Sequence, residues 1–379
     1  MKLACLTWWR NNYGSILQAY ALQEAFKDYD DVSYEIICQY GSKIASFSNF
    51  KDKVKEIGLL KSIKRVICKF GLKKLRLRTE KLQKFVDENL SVSKRQYDSE
   101  HISEANDVYD GFVCGSDQIW NPQLSPVTSM YWLSFAEKNK YKIAYAPSIG
   151  VSEVTDEQSK KIRENLSDFV AISCREESGT KLINNILKSD KCTNVLDPTL
   201  LVERKVWDNI CPENLFNEHY IFAYILRGNK KQRKLIERFA KEKNLKIVTI
   251  PFLDTEKIEL YDFSFGDIKF WDASPVEFIS AIRNADYIFT DSFHCMVFSC
   301  LYHKEFFTFP KIGPAQMSRI TDLQKLFGMS SRFINEQSSI NDINNMEKID
   351  WNLVDKTIAE KRLFSRQYLD KAINSIKIN

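Results

Sequence analysis

Met1-Lys2-Leu3-Ala4-Cys5-Leu6-Thr7, then Trp8-Trp9-Arg10-Asn11-Asn12-Tyr13-Gly14, then Ser15-Ile16-Leu17-Gln18-Ala19-Tyr20-Ala21-Leu22-Gln23 opens the chain. An apolar run, a polar and aromatic turn, and a helical pattern thus follow one another directly. The run has the length of a buried strand, and Ser15–Lys27 predicts a helix with Ile16, Leu17, Ala19, Tyr20 and Ala21 around its buried side. Val32–Gln39 reads as the next strand. The same alternation continues through strand candidates Val108–Cys114, Ile143–Ala146, Phe169–Cys174 and Thr193–Leu196, with helices at Asp156–Ser167 and Ser178–Lys188. Strands alternating with helices are the mark of βαβ units and parallel sheets.

After Asp197-Pro198 the pattern gives way to the polar stretch Glu203–Glu218 and restarts with the strand Tyr220–Leu226. The restart runs through helix Lys230–Lys243, strand Lys246–Ile250, helix Pro275–Asn284, strand Tyr287–Thr290, helix Cys295–Tyr302 and strand Glu305–Phe309. The expected architecture is α/β, with two doubly wound Rossmann-like domains facing a cleft. They span residues 1–200 and 201–345, and a C-terminal helix in 346–379 returns to the first. The length of 379 residues accords with two domains.

The composition is that of an ordinary globular protein, with a hydrophobic fraction of 44%, Gly 12 and Pro 9. No run approaches the roughly 18 apolar residues of a membrane span, and the first residues lack the pattern of a signal peptide. The nine cysteines form no CxxC pair, so neither a disulfide framework nor a metal cluster is expected, and a cytoplasmic setting fits. The net charge of +5 is local: residues 51–84 hold thirteen Lys/Arg against Asp52, Glu56 and Glu80. There Val54, Ile57, Leu60, Ile63, Ile67 and Phe70 recur at helical steps, which predicts a basic helical segment over 51–89 with one apolar face. No nucleic-acid partner is expected.

In parallel sheets ligands bind beyond the carboxyl ends of the strands, and the unusual residues fall there. Asn12, Tyr13 and Gly14 stand at a helix start suited to an anion or a sugar hydroxyl. Ser116, Asp117, Gln118 and Trp120 offer polar groups beside an aromatic ring, as a carbohydrate site does. Arg175 precedes a helix N-terminus, where phosphate or carboxylate is favoured. Asp291, Ser292 and His294 follow Tyr287–Thr290, and a histidine there suits general acid–base work. Arg227 and Arg319 are further anion-binding candidates. No nucleophile elbow accompanies Ser292.

Four ordered stretches carry a resemblance: Asn12-Tyr13-Gly14-Ser15 with Leu17–Gln23, Gly115–Asn121, Ser173–Gly179, and Thr290-Asp291-Ser292-Phe293-His294. Together they resemble the bacterial polysaccharide pyruvyltransferases. The resemblance implies a GT-B-like fold and transfer of pyruvate from phosphoenolpyruvate, a co-substrate rather than a cofactor, to a sugar of a surface or capsular polysaccharide precursor. It implies that His294 is catalytic with Arg175 and Asp291, and that Arg175, Ser292, Arg227 and Arg319 bind the donor. Asn12, Tyr13, Gly14, Ser116, Asp117, Gln118 and Trp120 would bind the acceptor. Some members carry Arg-Leu-His where this chain has Ser292-Phe293-His294, so a second arginine has to come from Arg227 or Arg319. A lipid-linked acceptor would bring the basic segment to an anionic membrane face. A nucleotide-sugar glycosyltransferase and a catalytically silent glycan-binding protein remain the alternatives.

Overall fold

The computed structural model describes residues 1–39, 73–212, 215–251, 253, 260–310, 318–329 and 332–378. Strand β1 (Lys2–Leu6) is buried beyond its first residue, and helix α1 (Tyr13–Phe26) is buried along nearly its whole surface. A helix apolar all round has to be covered on every side. It packs on α2 (Lys73–Asn89), on the short α5 (Pro198–Leu201) and on α8 (Pro275–Arg283).

Around β1 the first sheet adds β2 (Ser33–Cys38), β3 (Val92–Gln96), β4 (Gly111–Cys114) and β5 (Tyr141–Ala144) in the order β3-β2-β1-β4-β5. All its pairings are parallel. After α3 (Asp156–Asn165), the parallel pair β6 (Ile172–Cys174) and β7 (Cys192–Asn194) encloses α4 (Glu177–Leu187) and meets β5 at the Ile143–Ala171 bridge. α6 (Arg204–Ile210) leads into the second sheet.

That sheet repeats the first, with β8 (Tyr220–Tyr224), β9 (Lys246–Thr249), β10 (Ile268–Lys269), β11 (Tyr287–Thr290) and β12 (Glu305–Thr308) in the order β10-β9-β8-β11-β12, again all parallel. Its helices are α7 (Lys230–Lys243), α8, α9 (Phe293–Leu301) and α10 (Ser318–Leu326). After α11 (Ile340–Asn344), the 28-residue α12 (Trp351–Ile378) ends the chain. Along α12, Ser365 Oγ accepts from Leu196 N at 2.9 Å, Tyr368 Oη donates to Ala144 O at 2.8 Å, and Asp370 accepts from Tyr29 at 2.6 Å.

Three expectations need correction. β3, Val-Ser-Lys-Arg-Gln, is a strand that the apolar-run reading passes over, because an edge strand exposes one side and its last three residues are exposed. The polar stretch after Asp197-Pro198 holds α6, anchored by the fully buried Trp207. Helix α9 starts at Phe293, not Cys295, with Ser292 as its N-cap, so His294 lies inside the first turn.

Residues 40–72, with Val54 to Phe70 of the expected basic helix, lie outside the described residues. The end of that segment is α2. Its basic face partly spans the two halves: Lys81 Nζ lies 3.2 Å from Asp272 Oδ2 and 3.1 Å from Glu277 Oε2, and buried Arg78 donates to Pro251 O at 2.9 Å. Among the described residues the cysteines are all free thiols, and no helix is long and apolar enough to cross a membrane.

Tyr13 joins the halves most directly. Its ring stacks on Phe278 at 4.9 Å and its hydroxyl donates to Ala273 O at 2.7 Å, with 2% of the residue exposed. Tyr13→Ala is therefore expected to cost about 3–5 kcal/mol, and Tyr13→Phe only about 0.5–1.5 kcal/mol. Urea denaturation of the three proteins checks the order; equal midpoints for the Ala variant and the parent would refute it.

Candidate functional site

Both sheets have their topological switch between the first strand and the fourth, and the loops beyond these points face each other. Gly14, in the first turn of α1, and His294, in the first turn of α9, are in contact there. A Cβ on Gly14 would lie 2.1 Å from His294 Nδ1 and 2.6 Å from its Cγ, so only glycine admits the imidazole.

On its other side the ring faces Asp197, with Nε2 3.6 Å from Asp197 Oδ2. That is a charge contact rather than a hydrogen bond, and Nε2 has no hydrogen-bond partner within the protein. The same Oδ2 accepts from Arg175 Nη1 at 2.7 Å and from Ser116 Oγ at 3.3 Å, while Oδ1 accepts from the Thr199 hydroxyl at 2.6 Å and from Thr199 N at 3.0 Å. Arg175 Nη2 reaches Asp117 Oδ1 at 3.5 Å, and Asp117 Oδ2 accepts from Ser15 Oγ at 2.5 Å. One connected polar network thus joins the loops after β1, β4, β6 and β7 to the histidine after β11.

Burial would push the Asp197 carboxyl up, but the neighbouring His294 and Arg175 and the Thr199 hydroxyl outweigh it and hold it well below the usual carboxylate range. Asp117 is likewise held low against burial, by Arg175, His294 and the Ser15 bond. Burial disfavours the Arg175 charge, but Asp197, Asp117 and Glu176 overcome it and bind the proton more firmly.

The backbone carries strain here as well. Asp117 has φ 74° and ψ −178°, a region that side chains other than glycine avoid. It is held by Ser148 N donating to its carbonyl at 2.7 Å and by its own carboxylate accepting from Gln118 N at 2.9 Å.

Arg319, from α10, is a second arginine beside Phe293. Its guanidinium carbon lies 5.8 Å from the centre of the Phe293 ring, and that of Arg175 lies 4.7 Å from it. Arg319 is 5% exposed, and among the described residues its Nε has no hydrogen-bond partner and no carboxylate pairs with it. Burial first and Arg175 second push it down to about 10. Both arginines, Asp197 and Phe293 line a cavity of about 160 Å³.

Other expected site residues lie elsewhere or are already committed. Trp120 offers no sugar platform: it is fully buried and stacked on Trp132 at 4.9 Å, and its Nε1 donates to Tyr131 O. Tyr13 is packed between the halves. Asn12 caps α1 by accepting from Gly14 N, and Gln118 accepts from Asn121. Asp291 is structural as placed, accepting from Leu226 N at 2.6 Å and Arg227 N at 2.7 Å. Ser292 caps α9. The exposed Arg227 does not line the cavity.

Asp197, Thr199 and Ser15 were not expected at the site. The available signal was Asp197-Pro198 at a strand's carboxyl end, an N-cap with proline at the first helical position, which marks a helix start on the ligand face.

The family model for polysaccharide pyruvyl transferase matches residues 12–310, a span that contains Gly14, Asp117, Arg175, Asp197 and His294. The chain belongs to that family. No curated protein matches it in sequence. Among solved structures, this pyruvyl transferase family member is similar to a putative UDP-N-acetylglucosamine 2-epimerase from Listeria monocytogenes, at 7% identity over 98% of this chain and 90% of that one, with a TM-score of 0.53. A UDP-GlcNAc 2-epimerase from Methanocaldococcus jannaschii follows at 12% identity, 95% and 92% coverage and a TM-score of 0.49. The first likeness is one of fold, and with the paired parallel sheets it makes the architecture GT-B-like.

Asp197→Asn would leave the buried Arg175 without its closest counter-charge, at an expected cost of about 3–5 kcal/mol. The pH dependence has a fixed sign. Asp197 and Asp117 have folded values below the unfolded 3.8, so their contribution is present above that value and lost as pH falls through it toward the folded values. Denaturation of Asp197→Asn should show a smaller loss between pH 5 and 3 than the parent does. Gly14→Ala should displace His294; unaltered turnover in that variant would contradict the contact.

Proposed function

We propose that the protein transfers pyruvate from phosphoenolpyruvate to two hydroxyls of one sugar, forming a pyruvate ketal in a surface or capsular polysaccharide precursor. The observation that carries this reading is His294 set 3.6 Å from Asp197, which itself lines a cavity holding the buried Arg319, an arginine with no ion pair among the described residues. A donor with phosphate and carboxylate groups supplies the missing negative charge. An acid–base side chain beside it supplies the proton.

In this reading a proton reaches the methylene carbon of the donor from His294, leaving C2 electrophilic. A sugar hydroxyl adds to C2 and gives its proton to the imidazole. The C2–O bond to phosphate then breaks, the second hydroxyl adds, and its proton leaves with the phosphate. One enol phosphate and one diol become one ketal and one phosphate. Asp197 faces the imidazolium that is present before the first transfer and forms again after the second, and cationic groups in place before the reaction stabilise the departing phosphate.

The acceptor in this reading is a glycan, lipid-linked at the cytoplasmic membrane face, with the basic segment giving peripheral contact worth about 1 kcal/mol per basic residue near anionic lipid. Co-sedimentation with anionic vesicles at low salt, released at high salt and lost on changing Lys61, Lys64, Arg65, Lys73 and Lys74 to Glu, is the expected result. Equal binding to neutral vesicles refutes the electrostatic contact.

A donor panel tests the reaction: phosphate release from phosphoenolpyruvate supports it, and nucleotide release from a nucleotide sugar supports the glycosyltransferase instead. His294→Ala should lower turnover by roughly 10²–10⁴-fold while leaving thermal unfolding close to the parent's.

A further inference from the structure

The cavity beside the site is lined from an unexpected direction. Besides Arg175 and Phe293 it is bounded by Arg319 and Lys325 of α10 and by Lys361 of α12. Three of its four acidic groups are engaged, and Glu176 keeps a buried Oε2 without a hydrogen-bond partner. Asp197 holds Arg175; Glu177 lies 2.5 Å from Lys181; Asp322 accepts from Ser178 N at 3.0 Å and from Ser178 Oγ at 2.7 Å. Glu176 accepts from Ser148 and Gly150 through Oε1, and its Oε2 lies 3.9 Å from Arg175 Nε.

The three remaining cations contrast with these. Arg319 is buried with its Nε unsatisfied, and it forms no ion pair among the described residues. Lys325 is exposed at the rim, and Lys361 is half-buried with its ammonium 5.9 Å from the centre of the Phe364 ring. Both lysines act electrostatically on Glu177, at the start of α4. Asp117, Glu176 and Asp197 act on Arg319 at a distance, but a buried guanidinium without an ion-pair partner is costly, and an anionic ligand would offset that cost.

We infer that this cavity is a phosphate pocket, with Arg319 as its inner ligand and Lys325 and Lys361 at its mouth, and that α12 is thereby part of the donor site. Arg175, whose charge is spent on Asp197 and Asp117, is a positioning residue for Asp197 rather than the main anion ligand. The inference rests on the pyruvyl-transfer reading for the identity of the donor, not for the existence of the pocket. A phosphate-bearing acceptor would present the same group, so the test separates the two sources.

The experiment is calorimetric titration of the full chain with inorganic phosphate, alone and in the presence of phosphoenolpyruvate. The variants are Arg319→Met, Lys325→Met, Lys361→Met and, as a control on the exposed side of α12, Lys371→Met. The parent should bind phosphate and the control should match it. Arg319→Met should lose at least roughly 10-fold in affinity, the scale of one charge-assisted hydrogen bond, and each rim lysine should lose less. Without phosphate, Arg319→Met should unfold at an equal or higher temperature than the parent, because the uncompensated charge is gone; a merely structural arginine would give a lower one.

Unchanged phosphate affinity in Arg319→Met, or no binding by the parent, overturns the pocket. Phosphate binding that phosphoenolpyruvate fails to displace overturns the donor assignment. Absence of phosphate release from phosphoenolpyruvate, with Arg319-dependent phosphate binding intact, removes the pyruvyl-transfer reading and leaves the pocket standing.

Discussion

A guanidinium sealed from water has to meet its counter-charges inside the protein, and the arrangement around Arg175 follows from that constraint. Its side chain is 1% exposed, and besides the adjacent Glu176 its partners come from separate loops: Asp117 after β4 and Asp197 after β7. Neither of these two carboxylates is near Arg175 in sequence, so the ion cluster forms only when the loops have converged. Removal of any one member leaves a buried charge uncompensated, which is why such clusters specify geometry more than they add stability. His294, from the other half, is set against this cluster by the close approach that Gly14 allows.

Most of the fold was legible because its central strands are short apolar runs and its helices have clear starts. Tyr287–Thr290 and Lys230–Lys243 have the bounds that the sequence suggests. β3 was illegible because edge strands carry polar residues, and β6 is shorter than its apolar run because Phe169 closes the preceding loop against Trp120. At the site, strand-end logic found Asp117, Arg175 and His294, which the structure brings together. The structure buries Trp120 against Trp132 and Tyr13 against Phe278; an aromatic ring at a strand end looks the same in sequence whether a sugar or another ring covers its face. Asp197 escaped because its partners are supplied by tertiary structure, from residues on both sides of the chain's midpoint.

The two arginines on Phe293 divide a conflict between stability and binding. Arg175 is ion-paired to its carboxylates and serves rigidity; Arg319 forms no ion pair among the described residues, and burial first and Arg175 second leave its proton held less firmly. A site in which every cation were paired would be more stable and would attract no anion. The strained backbone at Asp117 belongs to the same economy, since residues in such conformations persist only where surrounding bonds over-determine them. Local instability is concentrated beside the histidine, where a ligand can offset it.

The second sheet bears on which donor the cleft suits. In doubly wound sheets a nucleotide's phosphates use backbone N–H groups in the crevice at the switch point, which here lies between β8 and β11. The N–H groups of Leu226 and Arg227 at that crevice donate to Asp291, at 2.6 and 2.7 Å. A carboxylate from the protein thus occupies donors that a diphosphate would need, and an anionic ligand placed there would also meet a like charge. Arg319 and Lys325 of α10 and Lys361 of α12 line a separate cavity of about 160 Å³ together with Arg175 and Phe293. This distribution of charge supports the proposed phosphorylated-acid donor over a nucleotide sugar.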